Sequence, residues 1–221
     1  MLVKDILPVL YHTQRNNKLF PFRTCMTTSA SMAYSYFNRE CLMNLIKEDD
    51  DVFEALNSEQ FRKYYLANTS LDINWLKRNI LKLREIAGVK TNYNYLNNLF
   101  DGIIWFTRWM SDGDLNAYQV MMSFEDIKTE ISDYKNPIIF FTNFTRSGHI
   151  CLIVGYDGDS IVYHDPYGDI RKRYKGWDGQ TKGAQCKINY QKFVNGIRSG
   201  DPYRHSWAEK NGKISCVRFV R

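Results

Sequence analysis

The chain has 221 residues, of which 44% are hydrophobic and 15% aromatic, and its formal net charge is +6. This length suits a single domain, and the apolar content argues against an intrinsically disordered chain. The basic residues are scattered, and no helix-turn-helix, zinc-finger or basic-zipper pattern is present, so we expect no nucleic-acid partner. The positive charge favours anionic partners such as wall polymers or membrane surfaces, although a basic solvated surface explains it equally well.

The cysteines and the N-terminus indicate where the chain is made. The five cysteines form no CxxC pair: they are Cys25, Cys41, Cys151, Cys186 and Cys216. This pattern argues against a disulfide framework and a zinc site, and it favours a reducing compartment at synthesis. The N-terminal MLVKDILPVL contains an acidic residue and a proline, so it is not a signal peptide. No apolar segment is long enough to span a bilayer.

Helical patterns dominate the first half of the chain. Apolar residues recur at helical spacing from Cys25 to about Ile46, with Thr24 in the N-cap position. Further helices are predicted for the stretches VFEALNSEQFRKYYL and LDINWLKRNILKLREIAGV. A capping box at Ser123 opens another short helix. We expect residues about 40–122 to form a helical insertion.

The second half is rich in β-forming residues. Three such runs, PIIFFTNF, HICLIVGYDG and SIVYHDP, are separated by turn residues, and YDGDS predicts a hairpin. The stretch KISCVRFVR predicts a final strand, whereas CKINYQKFV fits either a strand or a helix. Helices followed by an antiparallel sheet indicate an α+β fold. We expect residues 1–221 to form a single domain.

Cys25 stands at the predicted start of the first long helix. A helix N-terminus favours a thiolate, because free backbone N–H groups and the helix dipole stabilise an anion there. Arg23 adds positive charge nearby. A buried, inert cysteine is the alternative, and the local sequence does not decide between the two.

A thiol nucleophile needs a base and a group that orients the base. His149 begins one predicted strand and Asp165 ends the next, and the hairpin between these strands brings them together. A symmetric register would set Asp165 opposite Leu152, so a bulge or a longer loop must absorb the offset. His164 is a rival base, but alternation turns it to the other face of its strand. Gln14 is a candidate donor to an oxyanion.

Three stretches in this order, YHTQRNN, TCMTTSASM and GHICLIVGYDGDSIVYHDPYGD, resemble the papain-like cysteine peptidases of the bacteriocin-processing peptidase branch. The likeness is closest to the stand-alone subfamily of phage and bacterial cell-wall enzymes, and it covers about residues 9–38 and 137–170. It implies a papain-like fold, in which the central helix that carries the nucleophile packs on an antiparallel sheet.

The resemblance also implies the roles of four residues. Gln14 is then the oxyanion-hole donor, Cys25 the nucleophile, His149 the general base and Asp165 the residue that orients it. The family often has asparagine directly after the cysteine, whereas this chain has Met26, which leaves the substrate preference open.

This chemistry hydrolyses an amide bond through a thioester and requires neither a metal nor an organic cofactor. The chain has no GxxxxGK[ST] loop, so peptide processing coupled to export is not expected. The first hypothesis is a peptidoglycan hydrolase, such as a phage endolysin that is released by a holin and cuts a stem-peptide or crossbridge amide. The alternatives are an intracellular protein-processing peptidase with the same triad, and a non-catalytic binding protein on the same fold. The oligomeric state is left open.

Overall fold

The computed structural model describes residues 3–16, 25–37, 104, 107, 114–142, 144–145, 148–169, 182–197 and 212–221. Its elements, in chain order, are β1 (Lys4–Ile6), a 3-10 helix (Gln14–Asn16), α1 (Cys25–Tyr36), β2 (Asn116–Met122), α2 (Phe124–Ser132), β3 (Ile138–Thr142), β4 (His149–Asp157), β5 (Ser160–His164), β6 (Cys186–Asn189), α3 (Tyr190–Ile197) and β7 (Ile214–Val220). This order confirms the predicted α+β class.

The strands of these described residues form one antiparallel sheet in the order β2-β7-β3-β4-β5-β6, and β1 pairs with β4. Strand β4 is the central element, because it pairs with β3 along its first half, with β1 at its end and with β5 on the other side. All of its residues from His149 to Tyr156 are buried. A strand covered on both faces shows a continuous apolar run rather than alternation.

Helix α1 packs on this sheet, mainly against β4. The hydroxyl of Ser29 donates a hydrogen bond to the carbonyl oxygen of Ile150 in β4 at 3.3 Å. One turn further on, the ring of Tyr34 meets Phe219 of β7 edge to face, with 6.0 Å between the ring centroids. The predicted packing of the Cys25 helix on an antiparallel sheet is therefore confirmed.

The hairpin between β4 and β5 contains a bulge. Near the turn Gly155 pairs with Val162, but beyond Val154 the register shifts by one residue and Leu152 pairs with His164. An extra residue in one strand reverses, beyond the bulge, which of its side chains share a face with a given side chain of the partner strand. The bulge therefore decides which β4 side chains share a face with the end of β5.

Strand β1 approaches the same region closely at Gly155. A Cβ atom at this position would overlap with the carbonyl oxygen of Asp5 and lie 2.8 Å from the Cα of Ile6. Only a glycine allows the two backbones to approach this closely without a shift of one strand. The β1 contact and the bulge thus lie side by side in β4.

One predicted boundary is wrong. Residues 116–122, which the sequence placed in the helical insertion, form β2 and pair with β7 along its whole length. This strand lies at the edge of the sheet, and most of its residues are half-buried. Its sequence therefore lacks the alternation of apolar and polar residues that is typical of a strand. The ambiguous stretch CKINYQKFV contains β6 and then the start of α3.

Several sequence predictions lie outside the described residues. They are the N-cap at Thr24, the continuation of α1 to Ile46, and the helices predicted over 52–66 and 71–89. Among the described helices, none is both long enough and apolar enough to cross a membrane.

Helix α2 begins with the predicted capping box. The hydroxyl of Ser123 accepts a hydrogen bond from the backbone N–H of Asp126 at 3.2 Å, and Oδ2 of Asp126 accepts one from the backbone N–H of Ser123 at 2.8 Å. These bonds from Ser123, its backbone N–H first, lower the pKa of the Asp126 carboxyl. The cap therefore favours the ionised carboxylate.

We expect Ser123→Ala to lower the free energy of unfolding by about 1 kcal/mol, because the backbone N–H of Asp126 loses the Ser123 hydroxyl as its acceptor. Urea denaturation at neutral pH measures this loss. The difference from wild type should shrink as the pH falls below the ordinary Asp pKa of 3.8, since the contribution of a carboxyl with a lowered pKa is lost on protonation. Glu125→Ala, which removes only an exposed ion pair with Lys128, is the control. An equal loss in both variants would contradict the prediction.

Candidate active site

His149 and Asp165 form a buried hydrogen-bonded pair. The ring nitrogen Nε2 of His149 lies 2.7 Å from Oδ1 of Asp165. The His149 side chain is 4% exposed and that of Asp165 is 0% exposed. Continued past the pair of Leu152 and His164, the shifted register sets Asp165 across from Cys151, on the face that carries His149. The bulge supplies one residue of the offset between Leu152 and His149, and Asp165 then reaches His149 diagonally, across the position of Cys151.

Cys151 completes the cluster. It lies two residues after His149 on the same strand face, and it is fully buried. Polar atoms of His149, Cys151 and Asp165 all lie within 4.8 Å of one another. A side-chain hydrogen bond also joins Cys151 to His149. Cys151 is not among the site residues predicted from the sequence. The signal that could have found it is its position two residues after His149 in a predicted strand, since such residues share a face.

The charges in this cluster are strongly coupled. Burial by itself would lower the pKa of His149, but the negative charges of Cys151 and Asp165 and hydrogen bonds to both side chains raise it well above its ordinary value. Burial raises the pKa of the Cys151 thiol, and the charge of Asp165 raises it further. Because burial keeps the Cys151 thiol neutral, the charge of Asp165 and the hydrogen bonds are what favour a protonated imidazole at His149.

Cys25 occupies the first position of α1, as the sequence predicts. It is a free cysteine and is half-buried, in contrast to the fully buried Cys151. A charge on Cys25 contributes to the raised pKa of Cys151, which places the two thiols in the same electrostatic environment. Of these two cysteines, Cys25 is the one that solvent and a substrate can reach.

The loop before α1 is fastened to the segment after β5. The backbone N–H of Gln14 donates to the carbonyl oxygen of Pro166 at 2.8 Å, and the hydroxyl of Thr13 donates to the same oxygen at 3.2 Å. The hydroxyl of Tyr11 donates to the carbonyl oxygen of Asp165 at 2.9 Å. Gln14 is buried at 1% exposure. These bonds hold the backbone of Gln14 against Pro166, the residue that follows Asp165.

The backbone around Asp165 is held on several sides. Its N–H donates to the carbonyl oxygen of Gly183 at 2.8 Å, and a Cβ atom at Gly183 would overlap with the Asp165 carbonyl. The N–H of Tyr167 donates to Oδ1 of Asp165 at 2.9 Å. The Tyr167 ring meets His149 edge to face, and the guanidinium of Arg15 lies 4.2 Å from the centroid of that ring. The carboxylate is therefore positioned before any substrate binds.

His164, the rival base, has a structural role. Its Nε2 lies 2.9 Å from the carbonyl oxygen of Val9 and donates to it, while its Nδ1 accepts a hydrogen bond from the N–H of Gln185 at 3.1 Å. Burial lowers its pKa, so the ring is held neutral between these two backbone groups. This arrangement agrees with the prediction that His164 faces away from the candidate site.

The chain matches the Peptidase_C39 like family over residues 6–196. It belongs to this family. The match extends through the region between residues 38 and 137, which the sequence resemblance did not cover, and it supports a cysteine peptidase.

Among solved structures, the chain is similar to a crystal structure from Bacillus anthracis named as a candidate C39-like peptidase. The two chains are 16% identical, the alignment covers 99% of this chain and 98% of the other, and the TM-score is 0.47. No curated protein matches the chain significantly.

We expect iodoacetamide to label Cys25 before the three cysteines that are fully buried, which are Cys151, Cys186 and Cys216. The thiolate is the reacting species, and burial raises the pKa of the Cys151 and Cys216 thiols. Brief labelling near neutral pH, followed by peptide mapping with mass spectrometry, measures the order. A Cys41→Ser variant removes the signal of the one cysteine outside the described residues. Labelling of Cys151 ahead of Cys25 would contradict the assignment of Cys25 as the accessible thiol.

Proposed function

We propose that this C39-like family member is an active cysteine peptidase that hydrolyses an amide bond with Cys25, His149 and Asp165. The observation that carries the proposal is the buried 2.7 Å contact between Nε2 of His149 and Oδ1 of Asp165. His149 begins strand β4, against which the helix that begins at Cys25 packs. A base with its orienting carboxylate, next to a helix that starts with a thiol, is the arrangement that nucleophilic catalysis needs.

The bond to Asp165 assigns the two nitrogens of His149. Because Nε2 is turned to the carboxylate, Nδ1 is the nitrogen left to exchange a proton with the thiol of Cys25. The raised pKa of His149 favours the imidazolium. An imidazolium in turn stabilises a thiolate at Cys25, and the free N–H groups at the start of α1 support the same charge.

The reaction then has two stages. The Cys25 thiolate attacks the amide carbonyl, and the His149 imidazolium protonates the leaving amine, so that a thioester remains on Cys25. In the second stage His149 accepts a proton from water, which attacks the thioester and releases the acid. Asp165 stabilises the imidazolium and holds its ring in place in both stages.

The oxyanion of each tetrahedral intermediate needs donors in place beforehand. We assign this role to the side-chain amide of Gln14 and the backbone N–H of Cys25. The bonds from Thr13 and Gln14 to Pro166 fasten this loop to the segment that follows Asp165, which supports the assignment of Gln14.

We propose peptidoglycan as the substrate, with cleavage at a stem-peptide or crossbridge amide as in an endolysin. The family supports a peptide substrate, and the net charge of +6 suits an anionic cell envelope. A protein substrate, or binding without catalysis, would give different results in the following experiment.

We expect wild type to release fragments with new amine termini from purified peptidoglycan sacculi, and Cys25→Ala to release none. Asp165→Asn should be slower by about 10²- to 10⁴-fold, because the imidazolium loses its negatively charged partner. Mass spectrometry of the fragments names the bond that is cut. Cys216→Ala, which removes a buried thiol outside the cluster, is the matched control.

The outcomes separate the alternatives. Release by Cys25→Ala at the wild-type rate would contradict the catalytic role of Cys25. No release by wild type, with Cys25 still readily alkylated, would favour a protein-processing peptidase, which a peptide library would then test. No release together with an unreactive Cys25 would favour a non-catalytic binding protein.

We expect Gln14→Ala to lower kcat by about 10²- to 10³-fold with little change in KM, since the amide donates to an oxyanion that exists only in the transition state and the intermediate. The released amine, followed over time with sacculi as substrate, gives the rates. Thr13→Val removes a hydrogen bond to Pro166 from the same loop and should affect the rate far less. A larger loss of activity in Thr13→Val than in Gln14→Ala would show that the loop matters only for its shape.

A further inference from the structure

The proposed peptidase chemistry leaves Cys151 without a role. Its thiol lies within 4.8 Å of polar atoms of both His149 and Asp165, and all three side chains are buried. A purely apolar side chain would suit a buried position on a central strand. A thiol at this point, next to an imidazole and a carboxylate, forms a set of three groups that can each donate an electron pair to a metal ion.

Asp165 supplies an independent observation. Its Oδ1 is hydrogen-bonded to His149 and Tyr167, but no donor from the described residues reaches its Oδ2. The side chain is 0% exposed. A carboxylate oxygen that is buried without a partner is costly, and it is stabilised by a cation placed against it.

We propose that Cys151, His149 and Asp165 bind a zinc-like divalent cation through Sγ, one ring nitrogen and Oδ2. Thiolate, imidazole and carboxylate together suit Zn²⁺, whose bonds to them are about 2.0–2.3 Å long. Such bonds place neighbouring ligand atoms about 3.3–3.8 Å apart in a tetrahedron. The ligand atoms of the three side chains lie within 4.8 Å of one another, so binding shortens the longest separation by no more than about 1.5 Å.

The arrangement explains why spacing rules do not find this site. Two ligands, His149 and Cys151, lie two residues apart on one face of β4, and the third comes from the end of β5. The pair contains no CxxC repeat, and the third ligand shares its face only because of the bulge at Val154. With three protein ligands, the fourth position of a tetrahedral ion is left to water.

The metal site carries a consequence that rests on the proposed peptidase function. A bound cation uses a nitrogen of His149 and the carboxylate of Asp165, so that the base can no longer exchange a proton with Cys25 in its oriented form. Occupancy of the site therefore switches hydrolysis off, and removal of the ion by a chelator switches it on again. The binding itself does not depend on catalysis.

Cobalt(II) titration of the purified protein tests the site, because a cobalt–thiolate bond absorbs in the near ultraviolet whether or not the protein is active. We expect wild type and Cys25→Ala to bind one equivalent of Co²⁺ with this absorption, and Zn²⁺ to displace it. Cys151→Ala should lose the absorption and bind at least about 100-fold more weakly, since loss of an outer-shell partner alone costs about 10- to 100-fold. Cys216→Ala, which also removes one fully buried thiol, should behave as wild type.

Two results would overturn the proposal. One is a thiolate band that persists in Cys151→Ala and disappears in Cys25→Ala, which would make Cys25 the ligand. The other is the lack of any band in wild type that is folded by circular dichroism. Asp165→Asn keeps the side-chain size and should weaken Co²⁺ binding, so it tests the site even if Cys151→Ala fails to fold. Unchanged Co²⁺ binding in this variant would contradict the proposed set of ligands. Because Cys25→Ala cannot hydrolyse peptidoglycan, its titration separates failure of the metal site from failure of the peptidase proposal.

Discussion

The shift of register at Val154 is the constraint on which the candidate site depends. Counted from the hairpin turn without a bulge, Asp165 would face Leu152 and point away from His149. With one extra residue in β4 it faces Cys151 instead, and the carboxylate reaches the imidazole. Because side chains alternate along a strand, a single inserted residue is enough to move Asp165 to the face that carries His149.

Burial strengthens the interaction between His149 and Asp165. His149 and Asp165 are shielded from solvent, so their interaction is weakened little by water, and the backbone bonds around Asp165 hold the carboxylate without help from a substrate. The loop that contains Gln14 is tied to the same segment through Pro166. Helix α1, which begins at Cys25, packs on β4, so the proposed nucleophile, base and oxyanion donor come from three parts of the chain that contact the β4–β5 hairpin or the segment after it.

The buried cluster has two possible states that exclude each other. A neutral thiol at Cys151 and an imidazolium at His149 suit proton transfer, whereas a deprotonated Cys151 and a neutral His149 suit a metal ion. Oδ2 of Asp165, which no donor from the described residues reaches, is the oxygen available to a cation in the second state. One group of side chains can thus hold either a proton or a cation, and the two states exclude each other.

Local patterns were sufficient for much of this structure. The start of α1 at Cys25, the capping box at Ser123 and the β4–β5 hairpin follow from helical periodicity, cap chemistry and turn residues, each of which acts within a few positions. The order of the motifs was enough to nominate His149 and Asp165, which the structure brings together. The catalytic roles of Cys25, His149, Asp165 and Gln14 stay predictions.

The amino-acid sequence by itself determined the α+β class, the helix that begins with a thiol and the pairing of a histidine strand with an aspartate strand, because these depend on neighbouring residues. Only the tertiary structure decided that β2 joins the sheet edge, that a bulge at Val154 shifts the register between β4 and β5 by one residue, and that Cys151 lies inside the cluster. Strand partners, register and burial depend on residues that are distant along the chain, and a local pattern carries no information about which of them will meet.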